Sequence, residues 1–141
     1  MPTAQAAAPA REFIYLGNLF KVIADSSDTQ GRYAAMEVVS APGSEPPLHI
    51  HANEDETFVV LEGSMRLTCA GEDRILNAGD AATVKRGTPH TFKVLTPTMR
   101  SLGIVRPGGF EDFFRELAGE ERPSFERIAQ TAAKYGTRLA I

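Results

Sequence analysis

The sequence predicts an all-β protein, an antiparallel sandwich or barrel, finished by one or two C-terminal helices. Three observations carry that expectation. From Phe13 to Val105 the chain is a series of short apolar, β-branched runs cut by Gly, Pro, Asn and Asp. No helical period occurs before residue 108. After Pro107-Gly108-Gly109 the period changes, with Phe110, Phe113, Phe114 and Leu117 on one helical face.

In chain order, residues 1–11 are rich in Ala and Pro and read as a mobile tail. The runs FIYL and LFKVIA follow, broken at Gly17-Asn18, and SSDTQG reads as a loop. RYAAMEVV, LHIH, TFVVL, MRLTCA, RILN, AATVK, HTFKVL and RSLGIV then read as strands. Turn residues separate them, so 12–108 is expected to form one barrel. In the helical segment, 109–141, Gly119 can end the first helix. Phe125, Ile128, Ala129 and Ala132 repeat the spacing, between Ser124 as N-cap and Gly136 as C-cap. Both helices are expected on the outside of the barrel or against a partner subunit, serving core packing rather than acting as a lid, and covering an open sheet edge.

The composition narrows the function. The chain has 141 residues, enough for one domain with a core. A formal net charge of -3 leaves no basic footprint for nucleic acid. No apolar run approaches the roughly 20 residues of a membrane helix. The first ten residues lack the basic start and apolar core of a signal peptide, so a cytoplasmic location is expected. Cys69 is the only cysteine, which excludes an intramolecular disulfide; it reads as a small buried apolar residue.

The stretch GSEPPLHIHANEDETFVVLEG holds the chemistry. His49 and His51 alternate with Ile50, so on a strand both imidazoles share one face. Glu56 heads the next strand, and His90 lies downstream in GTPHTF. Imidazoles with a carboxylate suit a divalent transition metal (Fe, Mn, Ni, Cu or Zn) and not Ca or Mg. Glu54 and Asp55 compete for the carboxylate role. Glu56 is preferred because a strand can hold it rigidly, and the other two read as solvated turn charges. Glu56 shares its strand face with Phe58 and Val60, and His90 shares its own with Phe92 and Val94. These four fit either a pocket wall or ordinary core. Lys85 and Arg86 read as solvated charges, with a Schiff-base or carboxylate-holding lysine as the alternative.

With these residues in view, the chain resembles a cupin. Gly43, His49, His51, Glu56 and Gly63 match the first cupin motif in full. Gly79, Gly87 and His90 match the second, with Lys85 where Pro is usual and Val94 where Asn is usual. The tail PGGFEDFFRELAG, and the Thr29-Gln30-Gly31 turn ahead of the first motif, are similar to small bacterial quercetin-dioxygenase-like cupins. The resemblance implies a jelly-roll barrel, a single metal held by His49, His51, Glu56 and His90, and a homodimer. It also implies a small-molecule substrate, with iron the first choice of metal.

Three functions follow from that resemblance. The first is a dioxygenase on a flat aromatic or enolic substrate. There Glu56 would be both ligand and proton acceptor, and Phe58, Val60, Phe92, Met36 and Val38 the wall. The second is a redox-neutral isomerase, cyclase or hydrolyase on a small carbonyl compound. The third is a small-molecule-binding cupin with no catalysis.

Overall fold

The computed structural model describes residues 8–140. Of the tail expected at 1–11, residues 1–7 lie outside the described residues. Residues 8–11 are exposed and irregular, yet the Ala10 carbonyl accepts from Arg115 Nε at 2.7 Å and Arg11 pairs with Asp28 at 2.8 Å.

The strands fall where turn residues cut the chain. β1 (Glu12–Tyr15), β2 (Asn18–Ala24) and β3 (Ala34–Ser40) form a meander. β4 (His49–His51), β5 (Asp55–Glu62), β6 (Ser64–Cys69), β7 (Glu72–Asn77), β8 (Ala81–Val84), β9 (His90–Val94) and β10 (Met99–Arg106) follow. Two sheets result, ordered β1-β2-β3-β10-β5-β8 and β4-β9-β6-β7, with every pairing antiparallel. From β3 to β10 the chain changes sheet at every connection except the β6–β7 hairpin, as in a double-sheet jelly roll. Gly63 makes the β5–β6 turn at φ +82°, and a Cβ there would meet the Thr98 carbonyl at 2.6 Å, so only glycine fits.

SSDTQG is not wholly loop. Its start is a four-residue helix, α1 (Ser26–Thr29), held by reciprocal capping bonds between Asp25 and Asp28. Downstream come α2 (Glu111–Leu117) and α3 (Phe125–Lys134), with the Ser124 hydroxyl capping α3 by accepting from Arg127 N–H at 3.0 Å. A final strand, β11 (Thr137–Leu139), pairs antiparallel with β4 and extends the second sheet. Sequence reading left it inside the helical segment, because three residues after a glycine carry no period. Gly136 sits one residue past the helix cap at φ +79°, which releases the chain into β11.

The interior has two apolar clusters. Phe58, Val60, Met65, Leu67, Leu76, Val84, Val94 and Met99 fill one end of the barrel between the sheets. Tyr15, Phe20, Val22, Ala34, Met36 and Val105 form the other with Phe110, Phe113 and Leu117 of the C-terminal segment. The helices pack on the barrel, with α3 burying only Thr131 and Ala132. α2 turns its apolar face inward and closes an end, because three phenylalanines on one short face need more burial than a sheet exterior gives. The chain leaving α2 also meets the edge strand β1, where Gly119 N–H donates to the Ile14 carbonyl.

Candidate metal centre and cavity

Four of the expected residues meet at one point. His49, His51, Glu56 and His90 each bring one donor atom to within 4.8 Å of all the others. The strands explain the convergence. His49 and His51 point the same way from β4, and His90 lies directly across from His49 on β9. Glu56 arrives from the opposite sheet, on β5 between Val84 and Val105. Its Oε1 lies 3.1 Å from His90 Nε2 and 3.7 Å from His51 Nε2.

The far sides of the rings are all engaged. His49 Nδ1 meets the Pro47 carbonyl at 2.8 Å, and His90 Nδ1 the Thr88 carbonyl at 3.0 Å. His51 Nδ1 meets Glu54 Oε1 at 2.9 Å and Thr137 Oγ1 at 2.8 Å. An Nδ1–H that donates outward leaves the Nε2 lone pair facing the centre, which is the arrangement of a metal-binding imidazole. Three such nitrogens and one carboxylate make a donor set that fits a divalent transition metal.

The electrostatics agree. Burial holds the His49 pKa down at about 4, with His90 adding to the effect, so that ring is neutral at pH 7. Burial also opposes charge on His90, but its bond to Glu56 and that carboxylate's charge outweigh it and raise the pKa. Burial would raise Glu56, yet the His90 bond and the three nearby imidazoles lower it, leaving an ionised carboxylate.

Two residues of this arrangement escaped sequence reading. Glu54, read as a solvated turn charge, is only 5% exposed and orients His51. Thr137 comes from β11, far along the chain, and reaches the same nitrogen. A carboxylate three residues after His51, in the turn before the Glu56 strand, was the available signal for Glu54; nothing local marked Thr137. Asp55 does face outward, where Arg86 holds its pKa down at about 2. Lys85 is exposed and does not line the cavity. Cys69 is half-buried against the closed cluster.

The cluster forms one wall of a cavity of about 130 Å³. Of the residues expected as its wall, Met36, Val38, Phe58 and Phe92 line it. Val60 and Val94 do not; both are packed in the closed cluster. Alternation put them on the inner face, where their side chains pack into the closed cluster and do not open onto the cavity. Unforeseen lining comes from Tyr15, Phe20, Phe110, Phe113 and Phe114. The rings pack tightly: Phe110 stands edge-on to His51, with centroids 4.6 Å apart. Burial raises the Tyr15 pKa to about 12, so its phenol remains a donor.

Known proteins share this fold. Residues 36–100 match the cupin domain family. This is a cupin. The chain is 31% identical over 99 residues to the quercetin 2,3-dioxygenase of Bacillus subtilis (strain 168), which takes in 70% of this chain and 29% of the relative. The chain thus spans less than a third of that relative's length. KdgF from Halomonas sp. shares the fold, with a TM-score of 0.63 at 23% identity over 70% of this chain and 86% of that one. The polyketide cyclase RemF from Streptomyces resistomycificus superposes with a TM-score of 0.54 at 30% identity, over 63% and 64% of the two chains. Among the described residues no helix is long and apolar enough to cross a membrane.

Proposed function

We propose that this cupin binds one divalent transition metal, with iron the first choice, through His49, His51, Glu56 and His90, and acts as a dioxygenase on a small aromatic or enolic substrate. The observation that carries the reading is the placement of this donor cluster at the wall of an aromatic cavity. Similarity to a quercetin 2,3-dioxygenase supports it. When bound, the metal supplies a Lewis acid that acidifies a substrate hydroxyl and, if redox-active, the electrons that dioxygen chemistry needs.

The chain supplies the rest. Phe58, Phe92 and Phe110 sandwich a flat substrate and exclude water, which strengthens every charge interaction inside. Glu56, ionised at neutral pH and held on β5, accepts the proton of a substrate hydroxyl. Pro47, Glu54, Thr88 and Thr137 fix the three rings from behind.

Similarity to RemF favours a second reading, a redox-neutral cyclase or isomerase built on the same residues. Oxygen uptake separates the two. Iron-loaded protein presented with phenolic and enolic substrates consumes O2 in step with substrate loss if it is a dioxygenase. Turnover that continues under strict anaerobic conditions would replace that reading with the redox-neutral one.

A further inference from the structure

Two serine hydroxyls face the cavity at a distance from the metal centre. Ser40 is 5% exposed and Ser101 is 6% exposed, and both line the cavity. They project from β3 and β10 on the inner face, Ser101 opposite Val38 and Ser40 opposite Met99. Neither hydroxyl forms a hydrogen bond with any described residue, whereas the neighbouring Ser44 hydroxyl is bonded to Asn18 Oδ1 at 2.9 Å and to the Ala41 carbonyl. Both hydroxyls open onto the cavity and leave their hydrogen-bonding capacity to whatever fills it, water or a ligand that can bond to both.

Their position defines that partner. On β10, Val105 lies across from Glu56 and Ser101 is four residues away. At roughly 3.3 Å per residue the two levels are about 13 Å apart along the strand. Between them lie Met36, Gly103 and Phe58, which are apolar or lack a side chain. The cavity, at about 130 Å³, is close to the roughly 150 Å³ apolar void that takes up one benzene molecule. A single ring fills that volume, and a three-ring flavonol would extend beyond it.

We propose that Ser40 and Ser101 form a second polar subsite, and that the ligand is a single-ring phenol or enol with a polar group at the end of a short arm. The oxygen on the ring faces the metal centre, the ring lies against Met36 and Phe58, and the arm reaches the serine hydroxyls. This narrows the substrate of the function proposed above and rests on it for the orientation of the ring.

The test compares two ligands that differ by one hydroxyl, para-ethylphenol and para-hydroxyphenethyl alcohol, titrated calorimetrically into zinc-loaded protein. Zinc is redox-inert, so binding is read without turnover. The alcohol should bind about fivefold to tenfold more tightly, the worth of one well-made hydrogen bond. The Ser40→Ala/Ser101→Ala double variant should erase that preference while zinc content, melting temperature and para-ethylphenol affinity stay the same. Equal affinities in the wild type, a preference that survives the double substitution, or no binding of either ligand would each overturn the subsite. Failure of the metal centre shows separately, as no zinc uptake before ligand is added. The same ligand pair is then titrated into the metal-free protein, where the serine preference is still required.

Discussion

The two ends of the barrel interior are built from the same strands and do opposite things. β5 sends Glu56 and Phe58 toward the cavity and Val60 into the closed end. β9 does likewise with His90 and Phe92 against Val94. The closed end is apolar throughout and its side chains fill it, with Val60, Met65 and Leu76 wholly buried. The open end keeps its titratable groups and its void beside an apolar cluster of its own, and polar contacts from the C-terminal segment are added to that packing. Arg115 pairs with Asp25, Glu111 accepts from Ser26 N–H and Gly109 N–H, and Thr137 bonds to His51. The difference shows a division of labour: non-directional packing stabilises the fold at one end, and directional bonds position chemistry at the other.

The largest effect that tests this division lies in the closed end. Leu76→Ala should lower unfolding free energy by about 2–5 kcal/mol, read by denaturant titration, and leave the metal content of the folded fraction unchanged. At the open end the reverse should hold. Glu54→Gln should weaken metal binding about 10–100-fold in a chelator competition, with little change in the denaturant midpoint. A loss of stability matching that of Leu76→Ala would show instead that Glu54 holds up the fold.

Acid should also tell the ends apart. Burial opposes charge on Asp25, but the Ser27 hydroxyl and amide and the Arg115 guanidinium hold its pKa down at about 2, from an ordinary value of 3.8. A carboxylate depressed in the folded state contributes stability that is present above its unfolded pKa and lost as pH falls toward the folded one. Between about pH 4 and pH 2 the docking of α2 should therefore weaken by about 2 kcal/mol. Hydrogen exchange should accelerate in α2 before it does in β6 and β7. The smallest expected effect is that of Thr137→Val, about 1 kcal/mol or less in metal affinity, because Glu54 still holds His51.

Much of the open end was legible in the sequence. The His-x-His alternation, the strand-leading Glu56 and the turn before His90 each imply a direction, and together they converge. Alternation says which face a side chain takes but not its height along the barrel, so Val60 and Val94 were grouped with the cavity wall although they belong to the closed cluster. The four phenylalanine and leucine positions of α2 revealed a buried face without revealing what it would meet. Thr137 was out of reach for a different reason. Its role comes from a contact between β4 and a three-residue strand 86 residues beyond His51, and no local period encodes that pairing. Glycine supplied part of the answer only in the fold: a Cβ at Gly136 would strike Asn53 Nδ2, so this residue lets β11 approach β4 closely.

The central claim is that the open end is a metal site built from His49, His51, Glu56 and His90. Elemental analysis of the purified protein after anaerobic reconstitution with iron, manganese, nickel or zinc, beside the same analysis of His51→Ala, tests it most directly. The account predicts close to one equivalent of one of these metals in the wild type and almost none in a variant that still folds. No retained metal in the wild type, or equal metal in both proteins, would contradict it.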